Sequence, residues 1–166
     1  MATVAKAASF IVLARLVAVS LTFIIDQFDL FFSAVVIMSV LAGALFAANQ
    51  SDLKRLIAYS GVIQSGFILS GISSGVYGIS ASTFYLITYI IQLIGIFTVF
   101  SIISGQLSSD FQISNISGLF KENKFITITF SIFMLGLAGL PLTSGFVSKF
   151  ISVSYTHLRA HETSQH

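Results

Sequence analysis

The chain has 166 residues, 55% of them hydrophobic and only 8% charged, with a mean hydropathy of +0.97. A water-soluble domain carries about a quarter charged residues, so this composition describes an integral membrane protein with no room for a soluble domain. The net charge of +2 comes from a few lysines and arginines at segment ends, which leaves no basic patch for nucleic acid. Cysteine is absent, which excludes disulfides, thiolate metal sites, cysteine-ligated iron–sulfur clusters and cysteine nucleophiles, so any redox chemistry is expected in another chain.

In chain order, the first apolar segment runs from Thr3 to Ile25 and carries Lys6 and Arg15. It is long enough to cross a hydrocarbon core of about 30 Å, and it lacks the charged start and small-residue cleavage site of a secretory signal. A short turn bracketed by Asp26 and Asp29 leads to a second run, Leu30 to Ala48. Asn49, Gln50, Ser51 and Asp52 form a polar break that reads as a helix cap, and Lys54 and Arg55 open a third segment ending near Ile72. Ser73, Ser74 and Gly75 make the next turn, and a fourth segment extends from Ile79 to Ser104. The longest polar stretch, Gly105 to Lys124, precedes a fifth run starting at Phe125. The predicted fold is an all-α polytopic transmembrane bundle of about five helices.

Lys54, Arg55, Lys121 and Lys124 all fall on the side where the chain begins, whereas the opposite loops hold two aspartates and no cation. By the positive-inside rule the first side faces the cytoplasm, or the matrix in an organelle, with Lys54 and Arg55 as its anchors. In the third segment, Gly61/Ser65 and Gly66/Ser70 repeat a spacing that allows close helix packing, and Ser60 and Gln64 share one face. In the fourth, Tyr85, Thr88, Gln92 and Gly95 draw a polar stripe. Such residues suit a bundle interior; the plainer reading is hydrogen-bonded glue between helices.

The stretch LAGLPLTSGFVSKF, Leu137 to Phe150, holds the only proline of the chain, Pro141, and a lysine eight residues later. Pro141 withdraws an amide and clashes with the preceding turn, while Gly139 and Gly145 permit a bend. In a straight helix from Phe125, Lys149 would sit about 36 Å along, at the far surface, and only an interruption near Pro141 returns it to the interior. Lys6, five residues from the start, is either an interior cation or an end residue snorkelling to the headgroups. Arg15 lies on the opposite helix face from Lys6, toward a partner or a headgroup.

Four blocks carry a resemblance: ATVAKAASFIVLARL from Ala2, SDLKRLIAYSGVIQSGFILSG from Ser51, TFYLITYIIQLIGIFTVF from Thr83, and LAGLPLTSGFVSKF from Leu137. In this order they resemble the antiporter-like membrane subunits of respiratory complex I, specifically the eighth to twelfth helices of subunit 2 of NADH dehydrogenase. The resemblance implies proton translocation through buried lysines, with Lys6 matching the lysine of the eighth helix and Lys149 the lysine after the break in the twelfth. Lysine suits such a relay because burial brings its proton affinity toward neutrality, so a neighbouring charge tips it between ammonium and amine. A broken helix supplies free backbone groups and room for water at membrane depth.

The same resemblance implies no cofactor in this chain, with NADH, FMN, iron–sulfur clusters and ubiquinone held elsewhere in the complex. Implied partners are other complex I membrane subunits, other antiporter-like subunits among them, and membrane lipid. The implied location is the mitochondrial inner membrane, or a bacterial plasma membrane. Nothing in the chain corresponds to the family's first seven helices, so the expectation is either a split subunit, with a separate chain supplying the front half, or a truncated one that has lost it. Leu142 stands where the family often has a second proline. A structural remnant without a channel and a cation/proton antiporter component are the alternatives. The bundle is expected over residues 1–153. Residues 154–166 form a polar tail resembling a translated sequencing-adaptor read-through, whose His157, His161 and His166 lack the further ligand that a metal site needs.

Overall fold

Polar breaks in an apolar chain set the helix ends. In the computed structural model, which describes residues 2–20, 25–104, 112–113, 123–140, 145–147, 149–151 and 153–154, they do so close to the predicted places. Pro141, Lys121 and the polar tail from residue 155, with its histidines, lie outside the described residues. Helix α1 covers Ala2–Val19, and a 3-10 turn, Ile25–Phe28, leads into α2, Asp29–Ala48. Helices α3, Leu53–Ser73, α4, Val76–Ser104, and α5, Lys124–Ala138, follow.

Asp52 caps α3 from an extended backbone, its carboxylate accepting the Lys54 N–H at 2.8 Å, which satisfies one of the first-turn donors that have no partner within the helix. Gly75 turns the chain between α3 and α4 at φ 83°, a left-handed conformation that glycine adopts without steric cost. After α4 the chain returns to the α2–α3 loop, where Gln112 bridges to Asp52 and the Ile113 N–H donates to the Ser51 carbonyl at 3.0 Å. Residues 112 and 113 thus lie at the end of the bundle that carries Lys54 and Arg55.

Three of the described helices are long and apolar enough to cross a membrane: α2, α3 and the Gly78–Ile103 portion of α4, with mean hydropathies of 2.4, 1.4 and 2.3. Their burial differs: 6% of the α2 window is buried, against 44% for α3 and 50% for α4. Helices α3 and α4 are therefore the centre of the bundle, and α2 lies at its edge. Val17 of α1 packs with Ile68, Ile72, Tyr85 and Leu86, while Leu137 of α5 joins Leu53, Ile57, Tyr89, Leu93, Ile96 and Phe100. Small residues bring α2 and α3 together, since a Cβ on Gly66 would meet Val40 Cγ2 at 2.8 Å and one on Gly43 would meet Ile63 Cγ1 at 2.7 Å.

Helix α5 is different. Its 15 residues reach only about 22 Å, short of a core of about 30 Å, so it stops within the thickness its neighbours span. It ends at Gly139, which takes a left-handed φ of 80°, and helical conformation resumes among the described residues of 145–154. The last helix is broken as predicted, with the reversal beginning at Gly139.

Candidate functional site

A helix that stops inside a bundle leaves its last four carbonyls in need of donors from outside the helix. In α5 each one has a partner. The Gly139 N–H donates to Leu135 O at 3.0 Å and to Gly136 O at 3.1 Å, and the Leu140 N–H donates to Leu135 O at 3.2 Å. The remaining two are met by side chains from distant parts of the chain. Gln64 Nε2 donates to Leu137 O at 2.7 Å, and Lys149 Nζ donates to Leu137 O at 3.2 Å and to Ala138 O at 3.1 Å.

Lys149 thus folds back onto the helix end that precedes it, where the partial negative charge of a helix C-terminus favours an ammonium. Phe67 of α3 adds a ring face 5.3 Å from Nζ. Gly139 makes this possible twice over: its φ ends the helix, and its bare Cα leaves room for the lysine, whose Cδ and Nζ would each stand 2.9 Å from a Cβ there. On the other side of the same carbonyl, the Tyr85 hydroxyl donates to Gln64 Oε1. Gln64 and Tyr85 are 3% and 2% exposed, so this end of the polar chain is enclosed by protein.

One turn away on the same α3–α4 interface lies the second lysine. Lys6 Nζ and the Tyr89 hydroxyl converge on Gly61, where a Cβ would meet them at 3.1 and 2.9 Å. A cleft of about 190 Å³ opens beside them, lined by Lys6, Lys54, Gly61 and Tyr89 together with Ile57, Ala58, Leu93 and Phe97. None of these residues is acidic. Lys54 stands in the first turn of α3 and Gly61 about 10 Å further along it, so the cleft leads from that end of the bundle to the level of Lys6. Gly61 and Gln64 are one turn apart on α3, as are Tyr89 and Tyr85 on α4. The two ammonium groups therefore border adjacent rungs of one helix interface.

Over residues 1–161 the chain matches the family described as NADH:quinone oxidoreductase/Mrp antiporter, TM. The chain belongs to this family. It is 39% identical over 155 residues to the NADH-quinone oxidoreductase subunit N of Mycobacterium bovis, covering 90% of this chain and 29% of that protein. It is 39% identical over 146 residues to the subunit N of Desulforamulus reducens, covering 87% of this chain and 30% of that protein. With the NAD(P)H-quinone oxidoreductase subunit 2 of Crocosphaera subtropica it shares 34% over 145 residues, 87% of this chain and 28% of that protein. The chain spans less than a third of the length of these relatives.

Within this family member, the residues singled out from the sequence divide into two groups. Lys6, Lys149, Gln64, Tyr85 and Gly139 are brought to the two rungs. Gln92 and Gly145 join at the edge, since a Cβ on Gly145 or on Gly136 would meet Gln92 Nε2 at 3.2 or 2.9 Å. Ser60 and Thr88 turn away, donating to the carbonyls of Ile57 and Phe84 in their own helices at 2.7 and 2.9 Å. Lys54 and Arg55 are exposed at the start of α3, and Arg15 is exposed on α1. Tyr89 and Gly136 were not foreseen. Tyr89 had a signal, because it lies four residues after Tyr85 and one after Thr88 and so completes their stripe; Gly136 had none, as only its distance from Gln92 gives it a role.

Proposed function

We propose that the chain is a proton-translocating segment of the membrane arm of an NADH:quinone oxidoreductase, in which Lys6 and Lys149 bind and release protons during turnover. The observation that carries this reading is that both ammonium groups border adjacent turns of the α3–α4 interface, Lys6 beside the Tyr89 hydroxyl at Gly61 and Lys149 on the Leu137 carbonyl that Gln64 also bonds. An isolated cation at such depth is costly, and cations held there line ion and proton pathways. The cleft from Lys54 to Lys6 has Lys6, Lys54 and Tyr89 among otherwise mostly apolar walls and is roomy enough for several waters, which supports proton access to Lys6 from the end bearing Lys54 and Arg55. Lys149, held by the terminal carbonyls of α5, serves the other half of the path.

The relatives' names favour the quinone oxidoreductase over the antiporter side of the family, and their bacterial sources favour a bacterial plasma membrane over the mitochondrial inner membrane. The partners are then the other membrane subunits of that complex and the surrounding lipid, with the nicotinamide, flavin, iron–sulfur and quinone sites in other subunits. The test is Lys149→Ala in the assembled complex. Proton pumping per NADH oxidised is expected to be lost while the complex still assembles. Undiminished pumping would reduce the chain to a scaffold.

A further inference from the structure

Two donors share the Leu137 carbonyl, and they are not equivalent. Gln64 Nε2 reaches it at 2.7 Å, whereas both bonds of Lys149, to Leu137 O at 3.2 Å and to Ala138 O at 3.1 Å, lie at the long end of the range for nitrogen donors, about 2.7–3.2 Å. The amide is also fixed from behind, because the buried Tyr85 hydroxyl donates to Gln64 Oε1 and so leaves the nitrogen to face Leu137. The two carbonyls differ as well. Leu137 is 4% exposed and has both donors, while Ala138, whose carbonyl takes Lys149 and no other side-chain donor among the described residues, is exposed. A buried carbonyl stripped of its donor is costly, whereas one that falls from two donors to one loses little. When Lys149 lets go, the buried acceptor therefore stays paired.

We propose that Gln64 is a stand-in donor, a positioning residue that keeps Leu137 O satisfied while Lys149 leaves the end of α5 and returns to it. This inference rests on the relay reading above, in which the ammonium changes partners during turnover. Without Gln64, the lysine is the one side-chain donor to both carbonyls, its departure strips them together, and it stays in place longer. An amide suits the task because it donates without titrating, so it satisfies the carbonyl and leaves the proton to the lysine. Gly139 gives the lysine room to swing, since a Cβ there would stand 2.9 Å from its Cδ and Nζ.

Removing Gln64 is thus expected to tighten the hold on Lys149, where loss of a bond that merely braced the end of α5 would loosen it. The assembled complex is treated with a trace of acetic anhydride, which acylates a free amine and not an ammonium held by carbonyls. Peptide mass spectrometry then compares modification of Lys149 with that of the exposed Lys124 at the start of α5. In Gln64→Met the ratio of Lys149 to Lys124 modification is expected to fall several-fold, and NADH-driven pumping to slow with it. The double variant Gln64→Met with Tyr85→Phe, which removes the hydroxyl that Gln64→Met deprives of its acceptor, is expected to show the same fall and decides the matter if the single variant does not assemble. A ratio unchanged or raised overturns the proposal, as does pumping at the parent rate. Lys149→Ala run alongside reads the relay itself: undiminished pumping there removes the relay reading, while lost pumping together with an unchanged or raised ratio removes the stand-in role alone.

Discussion

Gly139 and Gly75 offer a matched pair. Both take left-handed φ angles, 80° and 83°, and both end or join helices, but their surroundings differ. A Cβ on Gly75 would meet nothing within 4 Å, whereas one on Gly139 would meet Lys149 Cδ and Nζ at 2.9 Å and Cε at 3.2 Å. Gly75→Ala therefore carries only the backbone penalty of an L-residue in the left-handed region, about 1–2 kcal/mol. Gly139→Ala carries the same penalty and also pushes aside the lysine side chain, the only flexible part of the collision. The ammonium then leaves the carbonyls of Leu137 and Ala138, which adds about 1–3 kcal/mol for lost charge-assisted bonds. Unfolding of the two variants in mixed micelles is expected to rank Gly139→Ala clearly below Gly75→Ala, and only Gly139→Ala is expected to reduce proton translocation in the complex. Equal losses in both variants, with translocation untouched, would mean that Lys149 does not rest on the end of α5.

Three further outcomes are expected. Gly61→Ala would place a methyl 2.9 Å from the Tyr89 hydroxyl and 3.1 Å from Lys6 Nζ; both are ends of long side chains, so the fold should survive while proton translocation falls, and an unchanged rate would deny Lys6 its position in the path. Gly145→Ala drives a methyl onto the Gly136 carbonyl oxygen, part of a backbone that cannot rotate away. That overpacking should cost about 1–3 kcal/mol, and an unchanged melting temperature would show that the helical continuation is not seated against α5. Asp52→Ala removes the cap on Lys54 N–H and should cost about 1 kcal/mol by thermal melting, with translocation per assembled complex unaltered.

The helices were legible because their ends are chemical. The aspartate at 52, the glycine at 75 and the polar run before Lys124 each mark a boundary that the folded chain keeps within a few residues. The broken last helix was legible too, because a straight one would carry Lys149 out of the membrane. What the sequence could not supply is pairing between distant segments. Gln64 and Leu137 are separated by 73 positions, and a helical stripe says which side of α3 is polar without saying what covers it. Ser60 and Thr88 share the faces of Gln64 and Tyr85, and Thr88 is buried with them, but a short hydroxyl reaches the carbonyl of its own helix first. Gln64, with a longer side chain, crosses to α5.

The most direct test of a single path through both lysines is a double-mutant cycle of Lys6→Ala, Lys149→Ala and the pair together, read as protons pumped per NADH oxidised in the assembled complex. Residues that act in series as one unit are strongly non-additive. Each single substitution is expected to abolish pumping, with the double variant no worse than either. Partial losses that multiply in the double variant would contradict a common relay and leave two lysines that act independently.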